Sequence, residues 1–338
     1  MAKKKLGLQT IKFQTPPCIM STAAIVGPKE GEGPLKDYFD VCLTDDLFGE
    51  DSWEKAESKM VREVIKLTLD KGSITEDKVE YLFAGDLLNQ IISSSFAARA
   101  FNIPFFGLYG ACSTMTESLS LAAMAVDGGY ADHVVAATSS HFSSAERQFR
   151  FPLEHGNQRP PTSQWTVTGT GAALLSSSGS GAYITYATTG RVMDFNIKDG
   201  NNMGAAMAPA AADTILRHFK DTGLTTDDYD LIITGDLGKI GRELANEIML
   251  ENGLDIEKKF TDCGIEIFDT KQQDVHSGGS GCGCSASVFC GYLYRKILEK
   301  KFGRILLVST GALMSPTSSY QGESIPGIAH AVTIEGGR

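Results

Sequence analysis

Residues 71–86 read KGSITEDKVEYLFAGD, and residues 221–236 read DTGLTTDDYDLIITGD. The two stretches align without a gap at an offset of 150, which places Asp86 opposite Asp236. Each pattern predicts the end of a helix, a short polar turn and an apolar strand that stops at Gly-Asp. The similarity therefore indicates that one helix–turn–strand unit occurs twice in the chain.

A second pair of segments repeats in the same order. Residues 110–141 and 282–313 align at an offset of 172, which places Cys112 opposite Cys284. Each segment predicts a turn of small residues, a helix and a buried strand. Because two blocks recur in one order, each at a constant offset, duplication explains them better than chance does.

The repeats and the strand composition together predict the fold class. The apolar strands YLFAG, HVVAAT, LIITG and RILLVST are short and β-rich, as in a sheet covered by helices. A repeat near half the chain length favours two fused α/β halves, residues 1–180 and 181–338, related by a pseudo-twofold axis. Ligands in α/β folds bind beyond the carboxyl ends of strands. We therefore expect the Gly-Asp pairs, Cys112 and the Ser280–Cys284 loop to surround one site.

Charge and hydropathy exclude several classes of function. The 31 Lys and Arg residues against 41 Asp and Glu give a net charge of −10, and no basic stripe is present, so nucleic acid is not expected as a partner. No apolar run approaches the roughly 20 residues that span a bilayer. No signal peptide is visible. We expect synthesis in the cytosol and, at most, a peripheral association with a membrane.

The cysteine pattern indicates reduced thiols. Seven cysteines, an odd number, are scattered along a chain of 338 residues, as in proteins of a reducing compartment. His276, Cys282, Cys284 and Cys290 lie close enough to suggest zinc, but the usual CxxC knuckle is missing. A glycine-rich turn with small packed cysteines is the favoured interpretation, and a zinc site is the alternative.

Motifs along nearly the whole chain resemble a known superfamily. They are FAGDLLNQ (83–90), YGACST (109–114), AATSSH (136–141), AERQFRFP (145–152), TVTGTGA (166–172), MGAAMAPAAADT (203–214), GGSGCGCSA (278–286) and ESIPGIAH (323–330). The chain resembles the thiolase and ketoacyl-synthase superfamily, and within it a branch of sporulation proteins from spore-forming bacteria. That resemblance implies a thiolase-like fold with α-β-α-β-α layers, and a homodimer.

The same resemblance implies a role in sporulation. Members of the branch bind dipicolinic acid (pyridine-2,6-dicarboxylate), free or as its calcium chelate, and support its uptake into the developing spore with membrane partners. It implies a peripheral position at the spore inner membrane. It also implies no cofactor beyond a calcium ion that arrives with the ligand.

Cys112 stands where the superfamily carries its nucleophile, at a helix N-terminus that favours a thiolate and lowers its pKa. By the same resemblance, condensing members carry two polar groups in the second half, His with His or Asn. Asp236 and Ser280 stand at those places here. Loss of one oxyanion donor typically slows acyl transfer about 100- to 1,000-fold, and loss of the base removes a similar factor. The resemblance therefore implies a vestigial nucleophile, no catalytic residue and a protein that is not an enzyme.

Several residues outside the cysteine turns are expected to bind the ligand. His141 follows the predicted strand HVVAATSS, Asn89 follows Gly-Asp, and Arg147 with Arg150 offers forks for a carboxylate. Two interpretations stay open for the arginines, since they also suit a loop or a dimer interface. For His141, a hydrogen-bonded core position is the alternative.

Acidic residues are expected to face the ligand or its calcium ion. Asp86, Asp194 and Asp236 offer the oxygen ligands that calcium prefers. For Asp86 and Asp236 a cap of the turn after each strand explains the repeat equally well.

Two other functions stay open from the sequence. One is an acyltransferase or thioester hydrolase that uses Cys112 with His276 or His141 as the base. The other is a structural adaptor of a spore membrane complex, for which the sequence identifies no surface.

Overall fold

A computed structural model describes residues 4–149 and 158–337, in which strands and helices alternate. The strands are β1 (Lys5–Leu6), β2 (Thr10–Lys12), β3 (Cys18–Val26), β4 (Val41–Cys42), β5 (Tyr81–Gly85), β6 (Phe105–Gly107), β7 (His133–Ser140), β8 (Trp165–Thr166), β9 (Gly169–Ser176), β10 (Ala182–Thr188), β11 (Leu231–Thr234), β12 (Phe260–Asp262), β13 (Gly279–Ser280), β14 (Arg304–Ala312) and β15 (Gly327–Gly336). The helices are α1 (Pro28–Gly31), α2 (Trp53–Gly72), α3 (Ile92–Ala98), α4 (Thr114–Asp127), α5 (Phe142–Phe149), α6 (Met203–Thr222), α7 (Gly238–Glu251), α8 (Cys263–Glu266), α9 (Cys282–Ser287), α10 (Tyr294–Leu298) and α11 (Pro316–Tyr320). A π-helical turn, Val288–Leu293, joins α9 to α10 into one continuous helix.

The repeated segments form matching elements. Helices α2 and α6 begin and end at the same offset of 150 seen in the sequence, and so do the starts of β5 and β11. Both helices end at a left-handed residue, Ser73 with φ 53° and Gly223 with φ 71°. The predicted strands at β5, β7, β11 and β14 are confirmed. Between the two repeated blocks the offset grows from 150 to 172, and the additional residues of the second half lengthen α7 relative to α3 and form the segment between β12 and α9.

Strand order shows the pseudo-twofold symmetry directly. The main path of the sheet runs β12-β11-β14-β15-β10-β3-β9-β7-β5-β6, so β10 and β3 meet at its centre. On either side the pairing repeats: two antiparallel pairs lie next to the centre and two parallel pairs lie toward the edge. The predicted α/β fold with duplicated halves is therefore confirmed.

The sheet has two parts, β12-β11-β14-β15-β10 and β3-β9-β7-β5-β6. Helices cover both parts and separate them from each other. Helix α2 packs on β3, β9 and β7, and α6 packs on β15 and β14. Helices α4 and α9 lie between the parts, since α4 contacts β7 and β5 as well as β14 and β15, and α9 contacts β9, β7 and β14. The order of layers is therefore α-β-α-β-α, with the first turns of α4 and α9 brought together at its centre.

The main hydrophobic core surrounds these two central helices. Met115 and Leu119 of α4 are completely buried, as is Phe289 after α9. Full burial of such side chains contributes about 1.5–3 kcal/mol each. The core therefore fixes the position at which the chain enters α4, immediately after Cys112. Within the described ranges, no helix has the length and apolar character needed to cross a membrane.

Candidate functional site

Cys112 occupies a tight turn between β6 and α4. Ala111, the residue before it, has φ 50°. This left-handed conformation costs a residue other than glycine roughly 1–2 kcal/mol. Hydroxyl groups hold the turn, because Ser113 Oγ donates to the Gly110 carbonyl at 2.7 Å and Thr114 Oγ1 donates to the Ala111 carbonyl at 2.7 Å. Ser113 is the N-cap of α4. The turn therefore holds Cys112 immediately before the helix cap.

Cys112 lines a pocket whose wall is largely apolar. The chain contributes to it from both halves, and the polar side chains among the described lining residues include no Lys or Arg. The lining residues are Leu87, Tyr109, Ala111, Cys112, Ala145, Glu146, Phe149, Gln164, Thr166, Gly200, Asn201, Met203, Ser280, Ala312 and Met314. The predicted residues Cys112 and Ser280 thus share one pocket.

Asp236 lies beside this pocket, fully buried after the end of β11. Its carboxyl group accepts hydrogen bonds from Thr310 Oγ1 at 2.6 Å, from Ser280 Oγ at 3.2 Å and from the Gly281 amide at 2.9 Å. The carboxyl group also interacts with the Cys112 thiol. Gly281 has φ 97°, a conformation that glycine adopts readily. Cys112, Asp236 and Ser280 therefore form one contiguous group.

Burial governs the protonation of this group. It raises the pKa of Cys112 well above the ordinary value for a thiol, and the neighbouring Asp236 carboxyl raises it further. Burial also raises the pKa of Asp236, and its hydrogen bonds partly oppose that effect. The prediction that the helix start lowers the pKa of Cys112 is therefore wrong, because desolvation and a like charge outweigh the helix dipole. The site holds a neutral thiol.

His141 is buried and belongs to another hydrogen-bond network. The Ser143 amide donates to its Nδ1 at 3.2 Å, so its Nε2 carries the hydrogen and donates to the Asp46 carbonyl at 2.7 Å. Burial lowers the pKa of His141, which keeps the ring neutral. Both ring nitrogens are used in these contacts, and the residue does not line the pocket.

The structure places two further predicted residues away from the pocket lining. Asn89 is exposed, and its backbone N–H donates to Gln148 Oε1 at 2.8 Å. Arg147 pairs with Glu54, and its guanidinium lies 5.2 Å from the centre of the Trp53 ring. Arg150 lies outside the described residues.

Asp194 is exposed on the loop before α6. It accepts hydrogen bonds from Ser324 Oγ at 2.6 Å and from the Asn196 amide at 2.8 Å, and these bonds lower its pKa. Asp86, which is buried, accepts from the Leu88 and Ser94 amides. It therefore caps the turn after β5 and the start of α3.

Three buried thiols lie in the helix that follows the glycine-rich loop. Cys282, Cys284 and Cys290 are buried and free, and Cys282 Sγ donates to the Ser139 carbonyl at 2.9 Å. His276 lies 3.4 Å from Asp274 and does not join them. In residues 4–149 and 158–337, no three side chains of the His, Cys, Asp or Glu type are grouped to hold a metal ion.

Sequence reasoning missed Gln164 and Glu146, two nearly buried polar residues of the pocket wall. Thr166 Oγ1 donates to Glu146 Oε1 at 3.4 Å. Both residues lie in or next to quoted motifs, Glu146 in AERQFRFP and Gln164 two residues before TVTGTGA. Their position in those motifs was the available signal.

The chain has a thiolase-like fold. 3-Oxoacyl-[acyl-carrier-protein] synthase III from Aquifex aeolicus VF5 is similar with a TM-score of 0.58 and 13% identity, over 94% of this chain and 99% of that one. Cerulenin-bound OleA from Xanthomonas campestris reaches a TM-score of 0.60 at 15% identity, over 95% and 98%. The tetronic acid condensing enzyme AbyA1 reaches 0.57 at 18% identity, over 94% and 100%. Identities this low support a shared fold and nothing further.

Closer relatives specify the family. The family model of stage V sporulation protein AD matches residues 7–335. Stage V sporulation protein AD of Bacillus subtilis strain 168 is 46% identical over 332 residues, which cover 98% of this chain and 98% of that protein. The chain belongs to the stage V sporulation protein AD family.

Proposed function

We propose that this protein binds dipicolinic acid, or its calcium chelate, in the pocket beside Cys112. In this proposal it supports uptake of the ligand into the developing spore together with membrane proteins of the stage V sporulation A complex. It acts from a peripheral position at the spore inner membrane and has no condensing activity. The observation that carries the proposal is a pocket that keeps Cys112 but has Asp236 and Ser280 at the places where the resemblance puts the other two condensing groups.

The replacements argue against acyl condensation. A condensing site needs a thiolate and donors for the oxyanion, whereas Cys112 is a neutral thiol beside the Asp236 carboxyl group. Ser280 Oγ donates to Asp236 and is therefore not free to donate to a thioester oxygen in this arrangement. The pocket is suited to binding more than to chemistry.

An acyltransferase or thioester hydrolase is the second candidate, because Cys112 lines the pocket in a fold shared with condensing enzymes. The two bases suggested for it, His276 and His141, are absent from the described lining. Incubation with acetyl-CoA followed by intact-mass spectrometry is expected to show no acetyl adduct. An adduct that disappears in Cys112→Ala would support the enzyme instead.

A homodimer is part of the proposal, and one edge of the sheet supports it. Strand β6 pairs only with β5 among the described strands, and its Phe106 is 52% exposed. Tyr109, Ile92 and Phe96 lie nearby in sequence and are also exposed. Exposed apolar edge strands tend to pair with another chain. A second copy that pairs through β6 would cover these side chains.

Complementation of a spore-forming host that lacks its own family member tests the function. Ser280→Leu fills the pocket, and Ser178→Leu makes the same change at an exposed serine. Spores carrying Ser280→Leu are expected to contain little dipicolinic acid, and those carrying Ser178→Leu a near-normal amount, at equal protein abundance. Normal content with Ser280→Leu would reject the pocket and favour a structural adaptor.

A further inference from the structure

A second cavity, here called the Glu30 cavity, lies on the other side of β8 from the Cys112 pocket. Gln164 and Thr166 line the Cys112 pocket, whereas Trp165 between them lines the Glu30 cavity, as expected for neighbours in an extended chain. The cavity has a volume of about 300 Å³. Its described lining residues are Pro28, Lys29, Glu30, Asp45, Asp46, Phe142, Ser143, Trp165 and Thr168. The two described linings share no residue, so the Glu30 cavity is a separate site.

Glu30 is a buried part of this wall and leaves one carboxyl oxygen unused. The residue is 1% exposed. Its Oε1 accepts from the Thr168 amide at 3.1 Å, and its Oε2 has no partner among the described residues. Buried polar atoms in proteins almost always have a partner. The unused oxygen therefore indicates a partner that enters from the cavity.

Two exposed carboxylates of the same lining lack a counter-charge. They belong to the acidic segment 45–54, in which Glu50, Asp51 and Glu54 each pair with a lysine or an arginine. Asp45 and Asp46 pair with no cation among the described residues, and their side chains accept only from backbone amides and a serine hydroxyl. Their negative charge is therefore available to a cation from outside the chain.

The one cation in the described lining does not neutralise these carboxylates. Lys29 Nζ lies 3.9 Å from the centre of the Trp165 ring, on which Phe142 also stacks at 3.7 Å. Burial and the neighbouring Arg159 lower the pKa of Lys29. The lining therefore offers more carboxyl groups than cations, and these groups come from two separate segments of the chain.

The spread of the carboxyl groups determines which kind of cation fits. Within residues 4–149 and 158–337, no three acidic, histidine or cysteine side chains are grouped to hold a metal ion. A guanidinium group carries five N–H donors on a planar fork, so it reaches several carboxyl groups at once. The methylene groups of an arginine would pack against Phe142 and Trp165, as long cationic side chains do on apolar surfaces.

We propose that the Glu30 cavity is a docking site for an arginine side chain of a partner protein, whose guanidinium group donates to Glu30 Oε2 and to Asp45 and Asp46. Burial raises the pKa of Glu30 to about 8. The guanidinium group favours the ionised carboxylate, and the proton of Glu30 passes to solvent. The exposed side chain of Leu47, next to the two aspartates, offers contact area to a protein and not to a small cation. This inference is independent of the ligand of the Cys112 pocket.

Fluorescence titration of the full chain tests the proposal. The chain has two tryptophans, so Trp53→Phe leaves Trp165 as the reporter inside the cavity. The probe is the peptide acetyl-Gly-Arg-Gly-amide, compared with peptides that carry lysine or citrulline in place of the arginine. The arginine peptide is expected to bind saturably and about fivefold more tightly than either of the others. No saturable change up to about 10 mM peptide, or equal binding of all three peptides, would overturn the proposal.

Variants of the carboxyl groups locate the binding. Asp46→Asn is expected to weaken binding of the arginine peptide about fivefold, as for an exposed ion pair. Glu30→Gln is expected to weaken it about tenfold, because an NH₂ group then replaces the unused oxygen. Asp51→Asn is the matched control, since it removes the same charge from the same segment but Asp51 pairs with Lys55 and does not line the cavity. Equal losses in Asp51→Asn and Asp46→Asn would indicate general charge attraction and overturn the site. Cooperative urea unfolding establishes that each variant has folded.

Lys29→Met adds a test that depends on sign. The substitution removes the like charge from the lining and keeps an apolar stem, so the affinity for the arginine peptide is expected to rise about threefold. A fall in a folded Lys29→Met variant would place an anion in the cavity and overturn the proposal. Methylguanidine that binds as tightly as the peptide would overturn the assignment to a partner protein.

Discussion

Replacing Glu30 by glutamine is expected to stabilise the protein at pH 8 much more than at pH 5. Glu30 lies on α1 and is 1% exposed. Its Oε1 accepts from the Thr168 amide at 3.1 Å, and its Oε2 has no partner among the described residues. Burial raises the pKa of this carboxyl group to about 8. The group is therefore protonated in the folded protein at neutral pH and ionised in the unfolded chain.

The sign and size of the effect follow from linkage. Because the folded pKa of about 8 lies above the unfolded value, the stabilisation is fully present below about pH 4 and is lost as pH rises toward 8. The difference between the folded and unfolded pKa values corresponds to roughly 4 kcal/mol of unfolding free energy lost between about pH 4 and about pH 8. Glutamine keeps an Oε1 for Thr168 and stays neutral at every pH, so this loss disappears in Glu30→Gln.

Urea unfolding followed by circular dichroism at pH 5 and pH 8 measures the effect. The difference in unfolding free energy between Glu30→Gln and the wild type is expected to shift by roughly 3 kcal/mol in favour of the variant between the two pH values. Glu32→Gln, at an exposed neighbour, is the matched control and is expected to show no such shift. An equal difference at both pH values would refute the conclusion that Glu30 is protonated because it is buried.

Three further predictions follow from other buried or exposed groups. Burial lowers the pKa of His218 to about 4. Acidification from pH 7 to 4.5 is therefore expected to lower the unfolding free energy of the wild type by roughly 2–3 kcal/mol more than that of His218→Gln, measured by urea unfolding. Equal losses in the two proteins would contradict this. Burial and the Asp236 carboxyl group both raise the pKa of Cys112, and Asp236→Asn removes the second cause. Iodoacetamide is therefore expected to alkylate Cys112 about tenfold faster in the variant at pH 8, as followed by intact-mass spectrometry. An unchanged rate would contradict the contact between Asp236 and Cys112. Phe106→Glu places charge on the exposed edge strand and is expected to convert the proposed dimer into a monomer in light scattering. A dimer that persists in the variant would place the interface elsewhere.

The repeats explain why so much of the fold was predictable. Each repeated segment carries its own local signals, a polar turn and a short apolar strand. The elements formed by these segments, α2 with α6 and β5 with β11, begin 150 residues apart, as the repeat in the sequence predicts. The layers were predicted only through the resemblance. They depend on how α4 packs between two parts of the sheet, which is a long-range contact that local patterns do not encode.

The site was less predictable, because loop placement fixes a residue's backbone and not its partners. Cys112 and Ser280 follow directly from motif positions and share the pocket. His141 also lies at a strand end, but the carbonyl of Asp46, far away in sequence, holds its ring. Gln164 gave no signal beyond its place next to a motif, because its side chain donates to the backbone carbonyls of Asp236 and Gly279, which are distant in sequence.

The most direct test of the central claim is calorimetric titration of dipicolinate, with calcium, into the wild type, Cys112→Ala and Cys42→Ala. Cys42 is the exposed cysteine among the described thiols and serves as the matched control. Saturable binding that Cys112→Ala weakens and Cys42→Ala leaves unchanged is the predicted result, because Cys112 lines the pocket and Cys42 does not. Absence of binding in the wild type, or equal affinity in all three proteins, would contradict the claim that this pocket holds dipicolinate.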